Sequence, residues 1–513
     1  MAGYTFTMRI FGGTACLLLL LLLANTYFAP STAEPKYNVV IISIDSLRAD
    51  HMSLLGYPRN TTPHIDTFAQ NAVVFKNYYS TSYLTPISEA TIHTGKYPIT
   101  CGMVNFETPI KKEIPTLAEI LRTRGWRTAA FGSSLEFQYY PAVRDSFKRG
   151  FDMYAINEDY LNLPWRGRGT LRTEKTIEWI DARLAKQQPF FVWFTVGSAH
   201  WPYGQDEPHH FSDAKYEGPL QDSGPYTGSA LSFIFSQMYG RVYDGKLYDA
   251  QGRVADTSIA ADIAYVRDRY DDGLVMTDRK LAPFLEYLAS PHIAANTIVI
   301  IESEHGEDFG EHGYIAHYDI LDTQTHTPLI ISVPKVQMRH VEALASGVDV
   351  LPTLLDLLDI EPPISLDGVS LKDVIMGSST TPRAEVFLTR SPLWERLISS
   401  FTPWLEPFTK EDDRVHFFDS AIRTEKWKLI HRLSRDAQKN YSWWGNLTGD
   451  TIVVPEYELY DVQSDPAEKR NIYDAHATND EIVALRGRLV EWETSMKASI
   501  PGHVPPREVQ PYF

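Results

Sequence analysis

The stretch VVIISIDSLR, residues 39–48, decides the fold of this chain. Its first six residues are nearly all apolar, which is typical of a strand buried on both faces of a sheet. Two further short apolar runs, residues 189–196 and 297–301, also lead into polar residues. Helical patterns at residues 116–122, 259–288 and 350–358 accompany these runs. The alternation predicts a parallel α/β sheet covered by helices on both faces.

The three apolar runs lead into side chains that can bind metals or take part in catalysis. Asp45 follows the first run, His200 lies just beyond the second, and the third continues into ESEHGEDFGEHG, residues 302–313. Ligands of such sheets bind beyond the carboxyl ends of the strands. Carboxylates hold hard cations, and the adjacent Glu304 and His305 pair an oxygen with a nitrogen donor, which favours zinc or manganese. The alternatives are that Asp45 caps a turn and that residues 302–313 form a solvated acidic loop.

A hydroxyl group at the start of a predicted helix is a candidate nucleophile. Thr85 stands where the helix begins in SYLTPISEATIHTGKYP, residues 82–98. The backbone N–H groups and the dipole at a helix N-terminus favour a bound oxyanion, and metal coordination lowers the pKa of a hydroxyl. The alternative role for Thr85 is that of a helix N-cap.

Length and charge limit the architecture and the partners. With 513 residues, one large domain plus a smaller one is expected. The net charge of −17 argues against nucleic acid as a partner. After about residue 385 aromatic residues become dense, and strands at residues 420–423 and 427–431 and a final helix at 480–496 are predicted. We therefore expect a catalytic α/β domain, residues 34–385, and a C-terminal subdomain with a short antiparallel sheet, residues 386–513.

Residues 1–33 have the pattern of a signal peptide. Arg9 precedes an apolar run at residues 10–24, and Ser31, Thr32 and Ala33 fit an export cleavage site. The run is shorter than the roughly 20 residues that a spanning helix needs. The pattern predicts an exported protein, periplasmic, secreted or lumenal, and the alternative is an uncleaved N-terminal membrane anchor.

Taken in order, these segments resemble the sulfatase family of the alkaline-phosphatase superfamily. DSLR at residues 45–48 with TTPHID at 61–66 is similar to the family's opening, and residues 85–98 are similar to its nucleophile signature. The later matches follow in the family's order: GWRTA at 125–129, GFD at 150–152, PFF at 189–191, HWP at 200–202, EHGE at 304–307, GEHG at 310–313, PLI at 328–330, LPTLLD at 351–356 and ELYD at 458–461.

The resemblance implies an α/β/α sandwich with a small C-terminal α+β subdomain and one divalent metal ion, Ca, Mn or Zn. Carried over by position, the metal ligands are Asp45, Glu304 and His305, with Ser46 as a weak fourth. Thr85 takes the nucleophile position. His200 and His317 stand where the family contacts the ester or assists the leaving group, and His326 and Ser88 take substrate-binding positions. For His200 the alternative is a packed histidine beside Trp201.

The chain departs from the family pattern at positions that bear on the reaction. Sulfatases carry Cys or Ser, oxidised to formylglycine, where this chain has Thr85, so no formylglycine is expected. Glu89 replaces a cation of the signature, the family's Lys-x-His pair is missing after Gly132, and Glu304 replaces an aspartate.

These departures favour a phosphoester or phosphonate, in a small-molecule, glycan or lipid substrate, over a sulfate ester. A sulfuric ester hydrolase is the alternative, and a catalytically silent sulfatase-like binding protein is the second alternative.

Overall fold

The computed structural model describes residues 37–134, 137, 140–156, 172–197, 199–200, 203, 208–217, 241–243, 246–248, 259–312, 315–317, 319–380, 382–390, 419–432 and 455–498. The predicted signal peptide and the tryptophans at 394, 404, 443 and 444 lie outside these residues. Within them, no helix has the length and apolar character needed to cross a membrane.

The strands in chain order are β1 (Asn38–Ile44), β2 (Val73–Tyr79), β3 (Arg127–Ser133), β4 (Met153–Ile156), β5 (Phe190–Val196), β6 (Arg241–Tyr243), β7 (Lys246–Tyr248), β8 (Thr297–Glu302), β9 (Asp308–Phe309), β10 (Ile315–Ala316), β11 (His326–Ser332), β12 (Arg339–Ser346), β13 (Val386–Arg390), β14 (Asp419–Arg423), β15 (Trp427–His431) and β16 (Tyr457–Asp461).

The helices are α1 (Pro63–Ala69), α2 (Thr85–Thr94), α3 (Pro98–Cys101), α4 (Leu117–Thr123), α5 (Pro141–Phe147), α6 (Thr173–Leu184), α7 (Ile259–Ala289), α8 (Pro291–Ala294), α9 (Asp322–Thr325), α10 (Val350–Leu357), α11 (Lys372–Met376), α12 (Tyr473–His476) and α13 (Asp480–Ala498), with 3-10 turns at Ala49–His51, Ser53–Leu55 and Gly347–Asp349.

The central sheet has eight strands in the order β12-β2-β11-β8-β1-β5-β3-β4. The three strands expected from the apolar runs, β1, β5 and β8, are its centre, and β1 pairs in parallel with both of the others. The prediction of an all-parallel sheet is wrong at β11, which runs antiparallel to β2 and β8. A parallel strand needs a crossover to the far end of the sheet. Here the chain turns back at the same end through a loop and the one-turn helix α9, so β11 returns in the opposite direction.

The two faces of the sheet are covered by different helices, which makes the α/β/α sandwich that was expected. Residues of β1 alternate between the two cores: Val39 and Ile41 pack with α2, α4 and α10, whereas Val40 and Ile42 pack with α1, α6 and α7. This alternation follows from the two-residue period of a strand.

The C-terminal segment forms a four-stranded antiparallel sheet in the order β13-β14-β15-β16. One face of this sheet, including Ile422 and Leu429, packs against α13 in a separate small core. The other face, including Ala421 and Ile430, belongs to the same core as α2 and α10. The small sheet is therefore packed onto the large sandwich by apolar contacts.

Candidate active site

The carboxyl ends of β1 and β8 bring three of the predicted ligands together. Asp45 follows β1, and Glu304 and His305 follow the neighbouring β8. Each of the three offers one ligand atom, and these atoms all lie within 4.8 Å of one another. All three residues are buried. We call Asp45, Glu304 and His305 the first ligand group.

Thr85 lies against the first ligand group at the N-terminus of α2. Its Oγ1 is 3.0 Å from Nε2 of His305, and Nδ1 of the same ring is 3.0 Å from the carbonyl oxygen of Gly306. A proton on Nδ1 donates to that carbonyl and leaves the Nε2 lone pair facing Thr85. Burial lowers the pKa of His305 well below its usual range, and His317 and His200 add to the shift. His305 is therefore a neutral imidazole, the form that binds metals.

Backbone and side-chain contacts hold the two loops that carry the first ligand group. Ser303 Oγ accepts from the amide of Leu47, 2.9 Å, and donates to the carbonyl of His305, 2.8 Å. A Cβ at position 306 would meet the carbonyl of Thr323 at 2.4 Å, so only glycine fits there. The Arg48 guanidinium joins the loops by donating to the carbonyl of Glu307, 2.9 Å, and to Glu311, 2.8 Å.

The first ligand group fits a divalent cation. Both carboxylate oxygens of Glu304 are buried with no hydrogen-bond partner. Burial and the neighbouring charge of Asp45 raise the pKa of Glu304 well above its usual range. Unsatisfied buried carboxylate oxygens are costly, and a cation held by Asp45, Glu304 and His305 would satisfy them. Ser46 Oγ lies 3.1 Å from Asp45 Oδ1 and 3.5 Å from His305 Nδ1, next to this group.

A second group of donors lies beside the first and contains both remaining catalytic histidine candidates. His200, Glu307 and His317 each offer a ligand atom within 4.8 Å of the others. His317 Nδ1 is 3.1 Å from Glu307 Oε1, and the hydroxyl of Tyr203 donates to Glu307 Oε2 at 2.8 Å. The His317 and His305 ring centroids are 4.2 Å apart. We call His200, Glu307 and His317 the second ligand group.

Sequence reasoning did not select Glu307 or Tyr203. Glu307 lay within the acidic loop, but nothing in the order of residues distinguished it from Glu311. Tyr203 is 104 positions from Glu307, so only the fold brings them together.

Two predicted substrate-binding residues have other contacts. His326 Nε2 donates to the carbonyl of Lys76 at 2.7 Å, and its ring stacks on Tyr79. Ser88 Oγ donates to the carbonyl of Ser82 at 2.8 Å and ties α2 to the preceding loop. Neither residue belongs to the two ligand groups.

Glu89 lies one turn along α2 from Thr85, inside the protein. Burial, together with the charge of Asp45, raises its pKa to about 8 although Ser43 opposes the shift. His93 Nε2 is 3.5 Å from its Oε2, and Glu302, also buried, adds a second carboxylate whose oxygens have no hydrogen-bond partner. At the position where the family has a cation, this chain therefore has a buried carboxyl group, one helical turn from Thr85.

Known proteins resemble the chain over most of its length. An N-acetylglucosamine-6-O-sulfatase of Bacteroides thetaiotaomicron is 24% identical over an alignment that covers 86% of this chain and 84% of the relative. A structure in complex with its substrate D-glucosamine-2-N,6-O-disulfate superposes with a TM-score of 0.63 at 20% identity, covering 91% of this chain and 99% of that one. The phosphonate monoester hydrolase of Agrobacterium radiobacter gives a TM-score of 0.63 at 20% identity, covering 90% and 95%.

The family model described as Sulfatase matches residues 37–360. This range contains Thr85 and both ligand groups, in addition to the whole central sheet. The chain therefore belongs to the sulfatase family of the alkaline-phosphatase superfamily.

Proposed function

We propose that the protein is a metal-dependent hydrolase or transferase that cleaves a phosphoester or phosphonate ester with Thr85 as its nucleophile. The observation that carries the proposal is the position of Thr85, whose Oγ1 is 3.0 Å from the ligand His305 and at the start of a ten-residue helix. A hydroxyl placed among metal ligands is the arrangement that makes a nucleophile.

The residues of the first ligand group have defined tasks in this reaction. Asp45, Glu304 and His305 would hold the divalent ion, with Ser46 beside them. When bound, the ion supplies positive charge that lowers the pKa of a neighbouring hydroxyl and polarises an ester oxygen. The N-terminus of α2 adds partial positive charge at Thr85, where the oxyanion of the substrate has to lie.

The reaction has two displacements at phosphorus. Thr85 Oγ loses its proton to water and bonds to phosphorus while the bond to the leaving oxygen breaks, and His200 or His317 stabilises the charge on that oxygen. Water or an acceptor alcohol then attacks phosphorus and releases Thr85. Sulfatases release sulfate through the second hydroxyl of formylglycine, and threonine has no such hydroxyl. The phosphonate monoester hydrolase of similar fold supports the phosphorus substrate.

A sulfate ester is the second candidate substrate. The N-acetylglucosamine-6-O-sulfatase and the structure with a bound glucosamine disulfate favour it, and they favour a glycan as the molecule that carries the ester. In this case Thr85 would have to act as the nucleophile without the second hydroxyl that formylglycine supplies in sulfatases.

Turnover of simple chromogenic esters separates the candidates. The full chain, loaded with manganese, zinc or calcium, is offered nitrophenyl phosphate, bis-nitrophenyl phosphate, nitrophenyl phenylphosphonate and nitrophenyl sulfate. We expect turnover of a phosphorus ester, a loss of at least about 1,000-fold in Thr85→Ala, and residual activity in the matched variant Thr85→Ser. Turnover that survives in Thr85→Ala contradicts the nucleophile, and turnover of the sulfate alone favours the second candidate. Absence of both metal binding and turnover favours the silent binding protein.

We also propose that residues 1–33 direct export, because of the apolar run that follows Arg9. Sequencing the N-terminus of the mature protein from the host tests this, and a start at Met1 on membrane-bound protein indicates the uncleaved anchor.

A further inference from the structure

The C-terminal subdomain contains a cavity that the proposed reaction does not use. Its volume is about 450 Å³, within the range of about 300–1,000 Å³ that is typical of small-molecule sites. It lies where the beginning of β16 meets α12 and α13, and six residues line it: Pro455, Glu456, Tyr457, Tyr473, Asp474 and Arg486. None of these six belongs to either ligand group, so the cavity is separate from the candidate active site.

The two tyrosine rings of the cavity belong to a stack of three aromatic rings. Tyr457 stacks on His431 with a centroid distance of 4.4 Å and an interplanar angle of 11°. It also stacks on Tyr473, at 5.0 Å and 22°. Arg486 Nη1 donates to the Tyr473 hydroxyl at 2.7 Å, and the guanidinium carbon is 5.9 Å from the Tyr457 ring centroid. These side chains are therefore held by one another before a ligand arrives, which lowers the entropic cost of binding.

A buried polar pair fixes the ring on which Tyr457 stacks. His431 Nδ1 is 2.9 Å from Glu493 Oε1 of α13, and both side chains are buried. Ser420 of β14 also donates to the Glu493 carboxylate. Burying such a pair costs desolvation free energy, and apolar packing alone would fill the same space without that cost. The pair is the kind of support that holds the side chains of a binding surface in one orientation.

The charges around the cavity favour an uncharged ligand that carries several hydroxyl groups. Arg486 offers N–H donors, whereas Glu456 and Asp474 offer carboxylate acceptors. An anionic ligand would lie near two carboxylates, and a cationic ligand would lie near the guanidinium. Hydroxyl groups accept from the guanidinium and donate to the carboxylates, and the tyrosine rings offer apolar surface to the C–H groups of a sugar ring. A saccharide therefore matches both the polar and the apolar parts of the cavity.

We propose that this cavity binds an uncharged saccharide unit, away from the reacting ester. The strand β16 begins in the cavity at Tyr457, and the segment beyond its other end contacts the active-site loop, where His312 Nε2 donates to the Ala467 carbonyl at 2.9 Å. A five-residue strand spans roughly 13 Å, so the cavity and this contact lie at opposite ends of β16. The site would hold a second unit of a glycan whose ester is cleaved elsewhere. That link to the reaction rests on the proposed function, whereas saccharide binding itself does not.

Saccharide binding is measured without turnover, in the full-length Thr85→Ala variant. Saturation-transfer NMR detects binding of glucose, galactose, N-acetylglucosamine and the β-linked trisaccharide of N-acetylglucosamine. We expect at least one of the four to bind, and we expect Tyr473→Ala and Arg486→Ala, each added to this variant, to weaken binding at least about 10-fold. The matched control Arg488→Ala removes an exposed arginine of the same helix that does not line the cavity, and it should leave binding unchanged.

Further comparisons locate the bound sugar and test its charge. Circular dichroism shows whether each variant is folded, and Asp474→Asn, a change at an exposed residue, should also weaken binding where Tyr473→Ala does not fold. A chelator, which removes a cation from the first ligand group, should leave binding unchanged. Binding that is lost in the chelator and kept in Tyr473→Ala would place the sugar at the active site and overturn the proposal.

Two other results would also overturn the proposal. One is that none of the four sugars binds, and the other is that glucosamine, which carries a positive charge, binds more tightly than N-acetylglucosamine. Neither result affects the proposed function, because turnover of a phosphorus ester and its loss in Thr85→Ala are measured separately.

Discussion

Ser46 combines a strained backbone with a polar side chain beside the first ligand group. Its φ of 63° is in the left-handed region, which costs a residue with a Cβ about 1–2 kcal/mol. We expect Ser46→Gly to be more stable than Ser46→Ala by about 1 kcal/mol, because glycine alone adopts this backbone freely. Urea denaturation of both variants measures the difference. Both lose the hydroxyl 3.1 Å from Asp45, so metal affinity should fall equally in the two. Equal free energies of unfolding in Ser46→Gly and Ser46→Ala would contradict backbone strain at this position.

Glu89 makes the stability of the metal-free protein depend on pH. Burial raises its pKa from 4.5 to about 8, so the folded state holds its proton more tightly than the unfolded chain. Its contribution to the free energy of unfolding is complete below pH 4.5 and is lost as the pH rises through 8. Glu89→Gln cannot titrate, so we expect it to exceed the unaltered protein in stability at pH 8 and to lose the advantage at pH 5. Urea denaturation in a chelator measures this, with the exposed Glu113→Gln as control. A constant difference between the two pH values would contradict the shift.

At the scale of elements, a strand could be predicted from the sequence where its residues form an uninterrupted apolar run. The runs at residues 39–44 and 297–301 correspond to β1 and β8 because both faces of these strands are buried and apolar. The strand β2 was not predicted, because Lys76 and Asn77 interrupt its apolar pattern. The strand β11 contains Pro328, which normally argues against a central strand. The register with β2 shifts between Thr327 and Leu329, and this irregularity accommodates the proline.

The first turn of α1 receives its cap from a different helix. Asp278 of α7 accepts hydrogen bonds from the amides of His64, 3.0 Å, and Ile65, 2.8 Å. We expect Asp278→Ala to lower the free energy of unfolding by about 1–2 kcal/mol, because it leaves the buried amide of Ile65 and the part-buried amide of His64 without their acceptor. Asp278→Asn retains one oxygen acceptor and should lose less. Thermal denaturation of the two variants compares them, and an equal loss in both would show that packing of the side chain matters rather than the cap.

At the scale of the whole molecule, the fold assembles the site from segments far apart in sequence. Asp45, Glu304 and His305 could be selected because each follows an apolar run, and Thr85 because it begins a helix. The pairing of Glu307 with His317 and Tyr203 could not be selected, since it depends on loops whose paths no local pattern determines. The same holds for the position of Glu89, whose burial follows from the packing of α2 against the sheet.

A buried lysine joins the C-terminal sheet to the loop that follows the active site. Lys428 of β15 is fully buried, and its Nζ is 2.7 Å from Asp322 of α9 and 2.9 Å from Glu468. Lys428→Met leaves the buried carboxylate of Glu468 without this cation, whereas Asp322 keeps Arg423, whose Nε is 3.4 Å from Oδ2. Removing one partner of a buried ion pair costs about 3–5 kcal/mol, and we expect a loss of that size in urea denaturation. The exposed Lys426→Met is the matched control and should lose less than about 1 kcal/mol.

The location of Lys428 also predicts that the loss of stability extends from the C-terminal sheet to the active site. Because Ala421 and Ile430 share a core with α2 and α10, weakening the C-terminal sheet should destabilise the site as well. In Lys428→Met, far-ultraviolet circular dichroism and release of bound metal should therefore shift together to one lower midpoint. Adding Glu468→Gln neutralises the carboxylate that Lys428→Met leaves without its cation and should recover part of the loss, since the two side chains are in contact. If metal release keeps its original midpoint while the dichroism shifts, residues 34–385 and 386–513 unfold separately and the shared core does not couple them.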